Sequence, residues 1–507
     1  MRRPLMIQGT MSNAGKSLLV AGLCRVFVQD GYSVAPFKSQ NMALNSHITD
    51  DGLEMARAQV IQAEAAGITP SILMNPILLK PTSDSGSEVI VNGESRGNMA
   101  AADYFEYRWS LVPDIMRAFE SLAESHDIVV IEGAGSPAEI NLRKDDIVNM
   151  GLAELTDADV LLVGDIDRGG VFAQLVGTLI LLDEAEQKRV KGLVINKFRG
   201  DIGLLHNGVL MLEEKTGKPV VGTLPYLDVD IEDEDSLSSR FSAAPKADLI
   251  DVAVIRLPRI ASFSGISALG AIEGISVRYV DGVSQLGHPD LVIVPDTNSL
   301  VADLNWLRSK RFDQAVHLLA SQGVAIFGLG GGYQMLGEEI CDSQGDLAGR
   351  HVPGLAVLPV SFSQQEASNQ RLASGRITGA QGLFTALNGA LVKGHFGLAG
   401  SIRSGTGASA LISFDDGSSD TCNHLRAVAF DGCCLDNVAG SSLPGFFESA
   451  ECRLGLLKAL LEAKGLAAPT NILDYQEYKQ KQYDILADAV RQHLDMEFIY
   501  GLLGLPD

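Results

Sequence analysis

The first part of the chain alternates short, wholly apolar runs with longer stretches of helical period. The runs are Leu5-Met6-Ile7, Val34-Ala35-Pro36-Phe37, Ile128-Val129-Val130-Ile131, Val160-Leu161-Leu162-Val163 and Leu193-Val194-Ile195, and helical patterns such as Lys16 to Gln29 separate them. A strand with one wet face alternates apolar and polar residues. These runs do not, so each is predicted to be covered on both sides, as in a parallel sheet flanked by helices. The expected class is α/β, with chemistry at the carboxyl ends of the strands.

From about Leu227 to Ala247 the pattern breaks into Glu232-Asp233-Glu234-Asp235 and a Ser/Ala/Pro stretch, which reads as a linker. A second α/β pattern follows, with strands at Val252-Ala253-Val254-Ile255, Leu291-Val292-Ile293-Val294 and Val324-Ala325-Ile326-Phe327. The expected organisation is a first domain over 1–235, a linker over 236–249, a second domain over 250–460 and a helical tail over 461–507. Ser/Gly/Gln-rich stretches at 361–375 and 401–419 read as surface loops. In the tail, Tyr483, Leu486, Val490 and Leu494 recur at three- and four-residue steps, an amphipathic helix expected to pack on a domain.

Composition narrows the picture by exclusion. The 507 residues carry 63 Asp plus Glu against 40 Lys plus Arg, a formal charge of −23, which argues against binding a phosphate backbone. No apolar stretch approaches the roughly 18 residues a membrane helix needs. Met1-Arg2-Arg3 starts like an export signal, but the apolar run after it stops at a glycine loop. The six cysteines, Cys24, Cys341, Cys422, Cys433, Cys434 and Cys452, show neither CxxC nor zinc spacing and read as reduced thiols. A cytoplasmic protein with no nucleic-acid or membrane partner is expected.

Residues Gly9-Thr10-Met11-Ser12-Asn13-Ala14-Gly15-Lys16-Ser17 follow a strand and open a helix. That is the setting of a P-loop: backbone N–H groups cradle phosphate, the Lys16 ammonium reaches the terminal phosphates, and the Ser17 hydroxyl can ligate magnesium. The spacing is one residue longer than the strict Walker A pattern and fits the variant of dethiobiotin-synthetase-like ligases. Gly9, Thr10, Asn13, Gly15, Lys16 and Ser17 are therefore the candidate ATP contacts. Glu132 stands at a strand end, where it could hold Mg2+ with Ser17. Asn196-Lys197 follows another strand and suits either a nucleobase edge or a simple turn.

Longer strings carry a resemblance. Phe37 to Asn45, Glu54 to Gln59, Asn75 to Asp84, Glu132 to Leu142, Gly164 to Gly170, Asn196 to Asp201 and Tyr483 to Met496 resemble the cobyric acid synthase family, multiple amidases of cobalamin biosynthesis, and the likeness runs over essentially the whole chain. The resemblance implies ATP-dependent amidation of the b, d, e and g carboxylates of adenosylcobyrinic acid a,c-diamide through acyl phosphates. It implies a corrinoid substrate, with Lys16, Glu132 and Glu139 as catalytic candidates and Asn41 where related a,c-diamide synthases carry an aspartate. Lys38, Asp84 and Arg168 either contact phosphate, the activated carboxylate or the corrin rim, or form ion pairs within the domain.

The family's second half resembles a flavodoxin-like, triad-type glutaminase, which needs a cysteine on a sharp strand-to-helix turn and a histidine base. Here the turn is Phe327-Gly328-Leu329-Gly330-Gly331-Gly332, with Gly330 at the cysteine position, and Gly440 to Glu448 carries Pro444 at the histidine position. Gly394 to Leu398 and Pro295-Asp296-Thr297-Asn298 also depart from the family pattern. Cys433, Cys434, Cys452, His395 and His424 are present, but none lies on a nucleophile-like turn. The expectation is an α/β scaffold that does not hydrolyse glutamine, with ammonia coming from solution or from a separate glutaminase. A non-catalytic corrinoid- or nucleotide-binding protein and a ligase for another polyacid are the competing expectations.

Overall fold

In a computed structural model of the chain, the structure describes residues 4–82, 86–142, 146–231, 249–342, 350–364, 371–396, 401–404, 407–414 and 430–505. The chain divides into two compact units, one of residues 1–234 with 479–507 and one of residues 235–478.

The first unit is built on a six-stranded, all-parallel sheet. Its strands lie side by side in the order Val220–Pro225, Val190–Phe198, Asp159–Asp165, Leu5–Gly9, Ile128–Glu132 and Val34–Phe37. Period-two alternation sends Leu5 and Ile7 into one core, with Leu19, Leu23 and Phe27, and Met6 into another, with Ile131, Leu162 and Leu175. Both faces are dry, which explains why the sequence shows unbroken apolar runs. A smaller four-stranded sheet, Gln40–Met42, Ile77–Pro81, Gly86–Val91 and Glu94–Ala100, stands apart from this one.

The tail closes the first unit. Tyr483, Leu486, Val490 and Leu494 are all buried, and the helix Tyr475–His493, which carries the first three, approaches Lys16–Gln29 so closely that a Cβ on Gly22 would lie 2.7 Å from Val490 Cγ2. Ion pairs frame the seam: Arg25 with Asp484 at 2.8 Å, Arg491 with Asp30 at 2.7 Å and Lys479 with Glu64 at 2.8 Å. Glu64 also accepts from Tyr483 Oη at 2.7 Å.

The second unit holds another six-stranded sheet. Five parallel strands, Ile250–Ile255, Ile275–Val280, Leu291–Val294, Ala325–Leu329 and Val438–Ser441, take the order 2-1-3-4-5, and Cys433–Leu435 adds an antiparallel edge. That is the flavodoxin-like order. The serine- and glycine-rich stretches read as loops are not simply loops. Val360–Gln364, Arg371–Ile377, Ser401–Ser404 and Ile412–Phe414 are strands of two small sheets. Backbone pairing of Arg371–Ile377 with Leu391–Phe396 overrides their weak strand propensity. Among the described residues no helix is long and apolar enough to cross a membrane.

Candidate functional site

The phosphate loop starts where Gly9 ends its strand. A Cβ there would lie 3.1 Å from both Cδ and Nζ of Lys16, so the lysine folds back across the strand end through space that glycine leaves open. Lys16 Nζ donates to Met11 O at 3.2 Å and to Gly135 O at 3.1 Å, joining the loop to the segment after Glu132. Thr10 is pinned by its N–H to Val163 O at 2.9 Å and by its hydroxyl to Gln174 Oε1 at 3.1 Å. Gly15 takes φ +94° at the start of the helix, and a Cβ on it would stand 2.1 Å from Asn196 Nδ2.

Asn196 and Lys197 are fastened to the same loop. Asn196 Nδ2 donates to Ala14 O at 2.8 Å. Lys197, in the left-handed region at φ +62°, donates from Nζ to Asn13 O at 2.6 Å and pairs with buried Asp165 at 2.9 Å. Both side chains therefore brace the loop from below, beyond the turn role that was one of their two sequence readings.

Glu132 is the centre of the arrangement, 1% exposed at its strand end. Its Oε1 accepts from Ser17 Oγ and from Lys38 Nζ, both at 2.7 Å. Its Oε2 accepts from Gln62 Nε2 at 2.6 Å and from Gln59 Nε2 at 3.5 Å. A carboxylate taken this far out of water persists only when paired and hydrogen-bonded, and here ammonium, hydroxyl and amide all converge on it. Magnesium takes hard oxygen ligands, commonly one or two carboxylates with substrate phosphates. Ser17 Oγ and Glu132 are such donors beside a phosphate loop, so the residues fit the ion. Among the described residues no cluster of three or more His, Cys, Asp or Glu forms a self-contained metal cage.

The remaining candidates divide. Asn41 is buried and donates to Gln59 Oε1 at 3.0 Å, placing it one link behind Glu132. Glu139 is exposed, with Oε1 at 3.1 Å from where a Gly135 Cβ would stand, beside the carbonyl that Lys16 holds. Arg168 is largely exposed and approaches Asp165 at 3.9 Å. Asp84 lies outside the described residues.

In the second unit, the strand Ala325–Leu329 runs into the helix Gly331–Leu336 through Gly330, whose φ of 52° and ψ of −120° form a sharp elbow. Gly330 N–H donates to Ser441 O at 2.9 Å, and Pro444 follows three residues after Ser441. Asp296 Oδ1 accepts from Gly331 N–H at 2.6 Å and from Thr297 N–H at 2.9 Å. Burial pushes the Cys433 and Cys452 thiols of this unit each up to about 12, where little nucleophilic thiolate forms. His395 lies in the strand Leu391–Phe396, and His424 and Cys422 lie outside the described residues.

Comparison with known proteins decides the family. Residues 5–237 match the CobQ/CobB/MinD/ParA nucleotide binding domain, and residues 251–452 match the CobB/CobQ-like glutamine amidotransferase domain. The cobyric acid synthase of Ruminiclostridium cellulolyticum is 49% identical over 99% of this chain and 97% of that protein. That of Photorhabdus laumondii is 47% identical over 98% of this chain and 97% of its own length. The chain belongs to the cobyric acid synthase family. A solved glutamine amidotransferase covers 42% of this chain and 99% of its own at 21% identity and a TM-score of 0.32.

Against that family background, sequence reading missed four residues that the structure brings to the two elbows. Gln59 and Gln62 are three apart on the helix Arg57–Ala65, so one face presents both amides to Glu132. Two buried glutamines in an Ala/Val/Ile-rich helix were the available signal. Gln59 and Asp165 lie within family-like strings that assign them no role, and Asp296 stands out only as a departure from the family loop. Nothing in sequence reveals that its carboxylate reaches the Gly330 elbow.

Proposed function

We propose that the chain is an ATP-dependent amide ligase that amidates the b, d, e and g carboxylates of adenosylcobyrinic acid a,c-diamide in cobalamin biosynthesis, using ammonia that its own second unit does not generate. The observation that carries the ligase reading is the meeting of Ser17 and Lys38 on Glu132 beside a phosphate loop whose Lys16 is tied to the segment after Glu132 through Gly135 O. Family membership supplies the substrate class. Gly330 and Pro444, at the positions of nucleophile and base, carry the nitrogen-source reading.

A carboxylate is a poor electrophile. A carboxylate oxygen of the corrinoid first takes the γ-phosphoryl group of ATP, forming an acyl phosphate and releasing ADP. Ammonia then attacks the acyl carbon, the C–O bond to phosphate breaks with its electron pair, and the nitrogen loses a proton. Such phosphoryl transfer needs positioning and charge neutralisation more than a protein nucleophile. Lys16 neutralises the terminal phosphates, and the loop N–H groups and Gly15 let the backbone approach them. Ser17 and Glu132 would hold magnesium, which supplies further neutralisation of the phosphate charge. Lys38, paired with Glu132, is the cation that would orient an incoming carboxylate, while Asn196 and Lys197 fix the loop through Ala14 O and Asn13 O. Glu139 and Arg168 are both exposed, and Arg168 and Asp84 remain substrate-contact candidates by resemblance.

The test is to incubate the protein with ATP, magnesium and adenosylcobyrinic acid a,c-diamide, with either ammonium or ammonia-free glutamine, and to follow the corrinoid mass. Stepwise amidation with ammonium alone is expected. Equal activity with glutamine would overturn the nitrogen-source reading. No amidation with either would favour a binding protein or another polyacid substrate.

A further inference from the structure

The second unit's elbow is not merely short of a nucleophile. Gly330 sits at φ +52°, and a Cβ built on it would stand 2.2 Å from Asp296 Oδ1, 2.3 Å from Cγ and 2.9 Å from Cβ. The obstacle is thus the whole carboxymethyl group rather than the tip of a flexible chain. The same Oδ1 takes the N–H of Gly331, the residue just past the elbow, and the N–H of Thr297. Two backbone donors at the elbow are thus already satisfied by an internal carboxylate.

The loop bearing Asp296 is held from several sides. Ala261 N–H donates to Asp296 O at 3.0 Å, and Asn298 N–H donates to Arg259 O at 3.0 Å. Thr297 Oγ1 donates to buried Asp303 at 2.6 Å, and Asp303 also accepts from Arg259 N–H at 3.1 Å and its guanidinium at 3.4 Å. With its backbone tied on both flanks and its Oδ1 taken by two N–H groups, the carboxylate has a fixed seat.

We propose that Asp296 is the residue that excludes glutamine from this elbow: its side chain fills the space that a nucleophile at position 330 and the oxyanion of a tetrahedral adduct would both need. This rests on reading Gly330 as the nucleophile position. It adds that loss of the cysteine is locked in, since any side chain at 330 meets a carboxylate that the fold holds in place, and a thiolate or oxyanion there would also face a like charge. Restoring cysteine at 330 and histidine at 444 is therefore insufficient by itself to recover a glutaminase.

The test is a double-mutant cycle on the full chain, read by melting midpoint. Gly330→Ala alone is expected to lower the midpoint by about 4 °C or more, the scale of an overpacked site. In an Asp296→Gly background the same alanine should cost less than about half as much, the residue being backbone strain at positive φ. In an Asp296→Asn background, where the amide fills the same space, the cost should stay as large as in the parent. Equal costs in the Asp296→Gly and parent backgrounds would overturn the proposal. If Gly330→Ala fails to fold, recovery of folded protein in the Gly330→Ala/Asp296→Gly variant supports it, and failure there overturns it. Glutamine-dependent ammonia release by the unaltered protein would instead overturn the functional reading, whatever the cycle shows; an additive cycle with no glutamine use would overturn only the role of Asp296.

Discussion

The two units use one architectural device, a glycine-assisted turn from the carboxyl end of a parallel strand into a helix, and they complete it in opposite ways. After Gly9 the first unit brings charge in from neighbouring elements: Lys16 reaches the carbonyl of Gly135, and Glu132 arrives on the adjacent strand to meet Ser17 and Lys38. After Leu329 the second unit spends its turn N–H on its own Asp296. The comparison teaches that an elbow's topology says little about its chemistry. What differs is which groups the neighbouring elements bring to it: two lysines, a hydroxyl and a carboxylate at the first, a carboxylate seated on the turn N–H at the second.

The largest expected effect breaks the first elbow and spares the second. Lys16→Ala removes the ammonium proposed to neutralise the phosphates, and ammonium-dependent ligation should fall on the order of 100- to 1,000-fold in kcat, the scale seen when one preorganised donor to developing charge is lost. Steady-state rates on the corrinoid substrate check this. Asp296→Asn, the matched change in the second elbow, should leave the same rate unaltered, and a comparable loss there would mean that the second elbow takes part in ligation.

A smaller effect tests how the first elbow holds its carboxylate. Gln62→Leu removes the 2.6 Å donor to Glu132 Oε2, and with it a 3.3 Å bond to Ser17 O, while the Ser17 hydroxyl and Lys38 keep their bonds to Oε1. Outer groups that orient a metal-binding carboxylate typically matter by roughly 10- to 100-fold in metal affinity. The magnesium concentration for half-maximal ATP binding, measured by calorimetry, should therefore rise about 10-fold, with kcat at saturating magnesium changed far less. Gln62→Glu should be worse, because it sets a second carboxylate against Glu132. An unchanged magnesium requirement in both variants would remove Gln62 from the site.

Much of this was legible in the chain because the signals are local. Unbroken apolar runs place the strands, and the nine residues from Gly9 to Ser17 place the loop, with each glycine explained by a close approach once the partners are known. Glu132 was legible because a strand end is an address that sequence can give. The amides of Gln59 and Gln62 were not, since pairing them with Glu132 depends on how a helix some 70 residues away in sequence packs, which no local pattern encodes. The strands of the second unit's small sheets were hidden for a related reason: antiparallel partners such as Arg371–Ile377 and Leu391–Phe396 specify one another only through the fold. Asp296 was visible as an odd residue, yet its meaning lies in a contact across 35 positions.

The smallest expected effect asks what keeps the helix Arg57–Ala65, and so its two amides, in place. Its last turn carries Glu64, which Arg57 approaches at 3.7 Å and Lys479 at 2.8 Å. Burial alone would push the Glu64 carboxyl up, but Arg57, Lys479 and the Tyr483 hydroxyl outweigh it and hold it below its ordinary value of 4.5. A depressed folded value has a defined sign. The stabilisation is complete above the unfolded value, is lost as pH falls through the lower folded value, and does not change on the alkaline side. Melting midpoints of the parent and Glu64→Gln should therefore differ by a constant amount from neutral pH down to about 5, then converge as the pH drops further, the parent losing stability faster. Parallel curves down to pH 3 would show that Glu64 does not secure the helix. The second elbow's loop is anchored within its own unit by Ala261, Arg259 and Asp303, and the Gly330 cycle repeated at acid pH should show no dependence on Glu64.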